Sequence, residues 1–335
     1  MYHPRFYGRY EDIGAKYGQL ISQKVKDFEL PVLNDDLEQF GKASISYLSD
    51  FYPEVIDEIS SFSEALKIHP NRVLSFLLSL IAQDFQGRCS VFAKVTDNGV
   101  FFGRNYDMPK AFKKYSESSL TAAKNTFIHI SQSDVFIGRC DGINEKGLAI
   151  GMSYVDTQTK RPGVSFHFIV RRVLEYAENV IQAIEIINDA HVSSANNFLI
   201  ADKHGDICIV ESSPQTSNVI KLKSQENSLH ITNHFKSRPM RAMQRSQLDW
   251  SLSAQRSCRL KELLKNQQSF DIETTKKVLA DTQVCLKLKE YAFETIWSTA
   301  ANLSTLDISR SEGYPKSSKF KQDTRMNRFL MKTIA

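Results

Sequence analysis

The spacing of apolar residues changes at Cys89, and this change constrains the fold more than any other feature of the chain. Between residues 10 and 86 the apolar side chains recur at helical spacing, as Val73, Leu77 and Ile81 do. From Cys89 onward most segments are short, rich in β-branched and aromatic residues, and separated by turn residues, which predicts strands. Helical spacing returns at residues 165–190 before more strands follow. This order predicts an α+β fold of two antiparallel sheets flanked by helices, preceded by a helical N-terminal segment.

The first two predicted strands form a hairpin whose open end carries reactive side chains. The turn at residues 97–99 reads Asp-Asn-Gly, a sequence typical of a tight hairpin loop. Because a hairpin brings its two ends together, we expect Cys89 to lie beside Arg104 and Asp107. A guanidinium favours the thiolate form of a cysteine and a carboxylate orients its partners, which fits a nucleophile. Taken alone, the same pattern is also typical of a buried, inert cysteine and a structural Arg–Asp pair.

Composition excludes several classes of function. The chain has 335 residues, of which 41% are hydrophobic and 24% charged, values typical of a globular protein with a large core. The net charge is +5, and the basic residues near the C-terminus accompany no nucleic-acid-binding motif. We therefore expect a polar, solvated C-terminal tail and no nucleic-acid partner. No apolar run reaches the roughly 18 residues of a membrane span, so no membrane partner is expected.

The cysteines indicate a reducing compartment. The five cysteines are widely spaced, odd in number and form no Cys-x-x-Cys pair. This pattern favours neither a disulfide framework nor a zinc site. We therefore expect a cytoplasmic protein without a metal or other cofactor.

Two later stretches carry further candidates. Asn233 follows a predicted strand, and an amide side chain at such a position can donate hydrogen bonds to an oxyanion. His230 and His234 flank it and are candidate bases, although lone histidines are more often structural. Arg256 follows Ser253 by three residues, and the serine is predicted to cap the helix that begins there.

These stretches occur in a recognisable order, and together they identify a family resemblance. The chain resembles the cysteine members of the N-terminal nucleophile hydrolase superfamily, and above all the isopenicillin N acyltransferase family. Bile salt hydrolases and penicillin V acylases are close relations. The resemblance covers almost the whole chain and rests on these motifs: Tyr7-Gly8-Arg9, Cys89-Ser90, Gly103-Arg104-Asn105-x-Asp107, Asn144-Glu145-Lys146-Gly147-Leu148, Thr232-Asn233-His234-Phe235 and Ser253-x-x-Arg256.

The resemblance implies a four-layer αββα sandwich and a role for each matching residue. Cys89 corresponds to the cysteine that becomes N-terminal when the precursor cuts itself. Arg104 and Asp107 correspond to the pair that positions the nucleophile and its amine. Asn233 corresponds to the oxyanion-hole amide, and Arg256 to the arginine that supports the site.

The same resemblance divides the chain and suggests its substrates. Residues 1–88 match a propeptide-like helical fragment that stays associated, and residues 89–335 match the catalytic domain with its basic tail. The implied reaction cleaves a linear, non-peptide C–N amide bond through an acyl-cysteine thioester. The implied substrate is a small N-acylated amine or amino-acid derivative, with acyl-CoA as an alternative acyl donor. The sequence leaves a homo-oligomer open.

The chain departs from its relatives at two places. Bile salt hydrolases have Gly-Leu-Asn where this chain has Gly-Met-Ser at residues 151–153, so only a backbone N–H of Ser153 or Tyr154 is left to complete the oxyanion hole. Arg88 stands before the nucleophile, where the acyltransferases have glycine.

Two other functions stay open on the sequence. One is a binding protein that keeps the fold without catalysis. The other is a peptidase that pairs Cys89 with His234 or His230 and does not cut itself.

Overall fold

The computed structural model describes residues 1–83, 87–245, 250–265 and 269–334, and all structural statements below concern these residues. The strands form two sheets. In chain order they are β1 Arg5–Gly8, β2 Arg88–Thr96, β3 Gly99–Pro109, β4 Glu117–Ala123, β5 His129–Ser133, β6 Asp141–Asn144, β7 Ala149–Tyr154, β8 Asn196–Ala201, β9 Ile207–Ser212, β10 Ser217–Lys221, β11 Ser228–Ile231, β12 Lys287–Leu288, β13 Phe293–Asn302, β14 Asp307–Ser311 and β15 Lys321–Gln322.

The α-helices surround these sheets. In chain order they are α1 Tyr10–Lys24, α2 Asp35–Phe51, α3 Pro53–Ala65, α4 Pro70–Ser79, α5 Phe166–Tyr176, α6 Val180–Asp189, α7 Arg238–Arg241, α8 Ser253–Lys265, α9 Ile272–Leu279 and α10 Arg325–Ile334. Among the helices that were described, none is long and apolar enough to cross a membrane.

The sheets stack face to face. The first sheet has the strand order β1-β4-β5-β6-β7-β8-β9-β10, and the second has the order β11-β2-β3-β13-β14-β15, with β12 beside β13. Strands β2 and β11 contact β7, β8 and β9 across the interface between the sheets. Helices α5 and α6 lie against the first sheet, and α8 and α9 lie against the second. This is the predicted α+β, four-layer αββα architecture, which is confirmed.

The hairpin of β2 and β3 forms the centre of the second sheet. Thr96 pairs with Gly99, so the loop has two residues, and Gly99 has a φ of 117°, a region that favours glycine. The pairing continues without a register shift to Arg88 opposite Asp107. The turn therefore sets which residues face each other at the far end, where the candidate site lies.

The N-terminal segment packs closely on itself. Helices α1 and α3 touch along a glycine seam, because a Cβ on Gly14 would lie 2.1 Å from the Glu58 carbonyl oxygen and one on Gly18 would lie 2.6 Å from that of Phe62. The segment also supplies a strand that its helical spacing did not predict. Strand β1 pairs with β4 in parallel, the one parallel pair among the described ladders of the first sheet.

A buried ionic network joins this segment to α5. Arg171 binds Glu58 of α3 through two hydrogen bonds of 2.9 and 2.5 Å, and its Nε lies 2.9 Å from Glu175. Tyr10 and Tyr52 donate hydrogen bonds to the same Glu175 carboxylate. Burial alone disfavours the Glu175 carboxylate, but the charge of Arg171 and the hydrogen bonds from His129 and Tyr10 hold its pKa below the usual range. The N-terminal segment is thus held by specific polar contacts as well as by apolar burial.

One predicted strand is wrong, and strand β4 was not predicted. The apolar, β-rich residues 135–139 predict a strand, but they form a loop, and the next strand begins at Asp141. Their apolar character has another cause, because the Phe136 ring stacks on Phe62 at 4.9 Å and on Phe76 at 5.9 Å. Strand β4 was not recognised, since serines interrupt its apolar pattern. Helix α2 lies within residues 10–86, which were predicted to be helical.

The C-terminal part is more ordered than a solvated tail. Strands β14 and β15 add to the second sheet, and α10 follows them. Arg325 donates to Asp323 at 2.7 Å and to the Ser118 carbonyl at 2.7 Å, while Arg310 donates to Asp323 at 2.7 Å. Part of the predicted basic tail is therefore bound to the sheets, although Lys316 and several other basic residues there are exposed.

Candidate active site

Cys89 and Arg104 contact each other between the sheets. Cys89 is the second residue of β2 and is 1% exposed. Its direct partner on β3 is Tyr106, so Arg104, two residues earlier on β3, projects from the same face. Arg104 Nη2 donates to Cys89 Sγ at 3.4 Å. The hairpin thus brings together the thiol and the guanidinium that the sequence placed there.

Asp141 holds Arg104 in this position. Arg104 Nε lies 2.5 Å from Asp141 Oδ2, and Nη1 donates to the Met152 carbonyl at 2.6 Å. Trp297 donates its indole N–H to the same carboxylate at 3.1 Å. Both partners come from elements distant in the sequence. Sequence reasoning treated Asp141 as part of an ordinary turn and missed it.

Asp107 lies on the other face of β3, because side chains alternate along a strand. It pairs directly with Arg88, so its carboxylate lies beside the backbone at the Arg88–Cys89 bond rather than beside the thiol. The sequence prediction that the thiol faces both groups therefore needs correction. Thr295 donates to Asp107 Oδ1 at 2.5 Å, whereas Oδ2 is buried and accepts no hydrogen bond from the described residues. This carboxylate oxygen has room for another donor.

Arg256 and Asn233 bind the backbone of Cys89. Arg256 Nη1 donates to the Cys89 carbonyl at 2.6 Å and lies 3.7 Å from Asp107 Oδ2. Its Nη2 donates to Asn233 Oδ1 at 2.9 Å, and the same oxygen accepts the Cys89 N–H at 3.0 Å. Asn233 Nδ2 donates one hydrogen to the Tyr154 carbonyl at 2.9 Å. The five predicted site residues therefore form one connected cluster.

Three polar side chains fix the loop that carries Asn233. Ser253 Oγ accepts the Asn233 N–H at 2.8 Å. Asn197 Nδ2 donates to the carbonyls of Thr232 and His234, both at 3.1 Å. Ser153 Oγ donates to the Thr232 carbonyl at 2.6 Å. Ser153 and Asn197 were missed as site residues. Their hairpins were noted in the sequence, but only the stacking of the two sheets brings them to this loop.

The backbone N–H of Tyr154 points away from β8. Val155 N donates to the carbonyl of Ala195, the residue just before β8, so the N–H before it points to the opposite side of β7. On that side β6 begins at Asp141, opposite Gly151, so no residue of β6 lies opposite Tyr154. The sequence left the backbone N–H groups of Ser153 and Tyr154 as candidate donors. Of these two, the N–H of Tyr154 is the one that points away from the β7–β8 ladder.

Burial governs the ionisation of the site. It raises the pKa of the Cys89 thiol to about 12, although the charges of Arg104 and Arg256 favour the thiolate. Burial also raises the pKa of Asp107 to about 6, against the charge of Arg256 and the hydrogen bond from Thr295. In the uncut chain the thiol is therefore neutral at pH 7, and it needs a base before it can attack.

The histidines bind other partners. His234 Nδ1 lies 2.7 Å from Ser253 Oγ and 3.2 Å from Thr232 Oγ1. His230 Nε2 lies 3.0 Å from Ser257 Oγ, and burial lowers the pKa of His230 to about 3. The charges that act on the Cys89 thiol are those of arginines and aspartates. These contacts are typical of structural histidines.

A second cluster lies near Arg104 and has ligand-type atoms. Asp134, Cys140 and His167 each offer one such atom, and the three atoms lie within 4.8 Å of one another. Asp134 accepts hydrogen bonds from Tyr106 at 3.0 Å and from Cys140 at 3.7 Å. Burial keeps both Cys140 and His167 neutral, raising the pKa of the former and lowering that of the latter to about 3. Asp134, Tyr106 and Cys140 therefore share hydrogen bonds, and His167 Nδ1 lies 3.0 Å from Ser165 Oγ instead.

Several solved structures are similar to this chain, and the first of them defines the class of fold. The chain is similar to a variant of the conjugated bile acid hydrolase from Clostridium perfringens, with a TM-score of 0.53 and 15% identity over 72% of this chain and 93% of that chain. A second variant of that hydrolase gives a TM-score of 0.48 and 13% identity over 70% and 96%. The penicillin V acylase from Agrobacterium tumefaciens gives 0.43 and 13% over 71% and 87%. The fold is that of the N-terminal nucleophile hydrolases.

A match to a family model identifies the family within this fold class. The model described as acyl-coenzyme A:6-aminopenicillanic acid acyl-transferase matches residues 95–317, and the chain belongs to this family. Arg104, Asp107, Asn233 and Arg256 lie inside the match, and Cys89 lies just before its start. No curated protein matches the chain. Family and fold together make the protein an amide hydrolase or acyltransferase.

Proposed function

We propose that the protein is a self-processing enzyme that uses Cys89 to cleave or transfer acyl groups from small N-acylated amines. One observation carries the proposal. At the Arg88–Cys89 bond, a thiol bound by Arg104 lies on one face of β2, and a buried carboxylate with an unused oxygen, Asp107, lies on the other. A cut at this bond creates an ammonium group beside that carboxylate.

The first reaction is the cut itself. The Cys89 thiol attacks the Arg88 carbonyl carbon, the bond from that carbon to the Cys89 nitrogen breaks, and the nitrogen gains the thiol's proton. The product is a thioester between Arg88 and Cys89 Sγ. Water hydrolyses it to an Arg88 carboxylate and a free thiol. The hydrogen bond from Arg256 to the Cys89 carbonyl holds the residue in place throughout.

The new α-amine then serves as the base for turnover. An α-amine has a pKa of about 7.7 to 8.0, close to neutral pH, so it can accept the thiol's proton without a histidine. Sγ attacks the substrate carbonyl, and the same proton passes to the leaving amine. The acyl group stays on Sγ as a thioester until water or a second amine takes it. Asp107 Oδ2 is the acceptor that orients the amine.

Two donors stabilise the oxyanion in this proposal. Asn233 Nδ2 carries two hydrogens, and the Tyr154 carbonyl accepts one of them. The second is the candidate donor from the side chain, and the Tyr154 N–H is the candidate donor from the backbone. Each such donor contributes about 3 kcal/mol to the stability of a transition state of this kind.

The fragments, the partners and the location follow from the same proposal. Residues 1–88 become a separate chain that stays bound to residues 89–335 through β1 and the Arg171 network. The acyl donor is an N-acyl amine or amino-acid derivative, with acyl-CoA as the alternative. The cysteine pattern supports a cytoplasmic, reducing location, and the proposal includes no cofactor. The proposal is compatible with a monomer and with a homo-oligomer.

Intact mass spectrometry and a substrate panel test the proposal. We expect the purified protein to give two masses that correspond to a single cut before Cys89. Cys89→Ala should give the full-length mass alone, whereas the matched control Cys258→Ala, at an exposed cysteine, should be cut normally. The cut protein should release amine from a panel of N-acyl amino acids, acylated β-lactams and acyl-amines.

Two outcomes would contradict the proposal. A protein of full-length mass that hydrolyses amides would favour the Cys–His peptidase, and His234→Ala would then abolish activity. A cut protein that hydrolyses and transfers none of the panel would favour a binding protein that keeps the fold.

A further inference from the structure

The side chain of Arg88 stacks on the ring of Trp250. The guanidinium carbon of Arg88 lies 4.7 Å from the centroid of the Trp250 ring. The Trp250 ring in turn packs edge-on against Phe293 at 5.1 Å and lies 5.4 Å from the Tyr291 ring. Phe293 is buried at the start of β13, so its contact holds the Trp250 ring in place. The residue that precedes the candidate cut is therefore held by a preformed stacking surface.

The chemistry of the two reactions makes this surface relevant to substrates. In the cut, the acyl group is Gly87-Arg88 and the leaving group is the Cys89 nitrogen. In turnover, the same sulfur attacks the substrate's carbonyl carbon, and the substrate's nitrogen leaves while the Cys89 amine acts as the base. Both reactions pass through a thioester on Cys89 Sγ, which carries Arg88 in the cut and the substrate's acyl group in turnover. The substrate's acyl group therefore replaces Arg88.

We propose that Trp250 forms the floor of the acyl-binding subsite, and that the preferred acyl group carries a flat guanidinium-like group that stacks on this ring as Arg88 does. The inference rests on the proposed function and extends it to the substrate class. A planar group gains from stacking over an aromatic face, and a planar cation gains more.

The surroundings of the subsite favour the same class. Arg88 lies directly opposite Asp107 on the hairpin, and the charge of Arg88 opposes the rise that burial causes in the pKa of Asp107. The Asp107 carboxyl group beside Arg88 disfavours an acyl side chain that ends in a carboxylate.

The adjoining position is narrow. A Cβ on Gly87 would lie 2.8 Å from Met108 Sδ and 3.3 Å from Tyr106 Oη. The atoms that follow the arginine-like residue in the acyl group therefore fit without displacing the Met108 side chain when they are as slim as glycine. An acetyl-glycyl-arginyl group meets both requirements.

Four fluorogenic amides separate stacking from charge and from apolar contact. They are the aminomethylcoumarin amides of acetyl-glycyl-arginine, of the flat but neutral citrulline analogue, of the cationic but non-planar lysine analogue, and of the apolar norleucine analogue. We expect kcat/KM to be highest for arginine, with citrulline next, and the arginine-to-norleucine ratio to be about tenfold. Trp250→Leu should bring this ratio close to one, Trp250→Phe should retain most of it, and Tyr115→Leu, an exposed aromatic control, should not change it.

The rate of the cut provides a second readout. Arg88→Leu and Trp250→Leu should slow it by a similar factor, and the double variant should be no slower than either one, because both changes remove one contact. Equal kcat/KM for the arginine and norleucine amides, or a ratio that Trp250→Leu leaves intact, overturns the inference while the proposed function stands. A wild-type protein that cuts neither itself nor any amide overturns the proposed function, and the inference with it.

Discussion

Replacing Asp107 by asparagine should make the uncut protein less sensitive to rising pH. The measurement needs a chain that cannot cut itself, so the comparison is between Cys89→Ala and Cys89→Ala/Asp107→Asn. Burial raises the pKa of Asp107 to about 6 from the ordinary value of 3.8, so the folded state favours the protonated form. The folded state therefore becomes less stable as the pH rises from about 4 through 6, because the unfolded chain releases this proton more readily than the folded one in that range.

The size of the effect follows from the difference in pKa. Proton linkage with these two pKa values lowers the free energy of unfolding by about 2 kcal/mol between pH 4 and pH 7 in the chain that keeps Asp107. The asparagine variant lacks this titration, so its unfolding free energy relative to the Cys89→Ala chain should rise by that amount. Its amide hydrogens lie where Oδ2 now accepts no hydrogen bond, and an unpaired donor costs about 1–3 kcal/mol at every pH.

Urea unfolding at several pH values separates the two effects. The constant cost of the amide shifts the whole curve, whereas the titration changes its slope between pH 4 and pH 7. The reasoning is refuted if the difference between the two proteins stays constant with pH, or if the asparagine variant loses stability faster than its parent as the pH rises.

Three further predictions concern catalysis and the fold. Asp141→Asn removes the charge that holds Arg104 and should lower kcat for turnover at least about tenfold; an unchanged kcat contradicts the positioning role. Asn233→Ala should lower kcat by about 10²–10³ with little change in KM, and His234→Ala should be much milder; steady-state kinetics with the reverse order would favour the histidine as base. In a Cys89→Ala chain, Glu58→Gln leaves the buried Arg171 without one of its two carboxylate partners, and it should lower the free energy of unfolding in urea by about 3–5 kcal/mol. A loss below 1 kcal/mol shows that the network does not hold the N-terminal segment.

The sequence predicted the hairpin and its residues because local rules govern them. A two-residue turn fixes the pairing of β2 with β3, so the approach of Cys89 to Arg104 follows from the turn alone. The face on which Asp107 lies also follows from the alternation of side chains, but the prediction ignored it. That error put the carboxylate beside the thiol, whereas it lies beside the backbone.

Other parts of the site depend on how the sheets stack. Asp141, Ser153 and Asn197 lie on the first sheet, and they reach Arg104 and the Asn233 loop only across the interface between the two sheets. No spacing along the chain encodes that meeting. Trp250 is a lone aromatic residue in the sequence, and its stacking on Arg88 likewise depends on tertiary contact.

The pairing of β1 with β4 has a consequence for a cut enzyme. If the bond before Cys89 is broken, these neighbouring strands belong to different molecules. Unfolding then releases two separate chains, and refolding needs them to meet again, so recovery becomes second order and depends on concentration. Such an enzyme folds once as a single chain and afterwards persists through the height of its unfolding barrier. Its useful lifetime is then a rate, set by how slowly β1 leaves the edge of the first sheet.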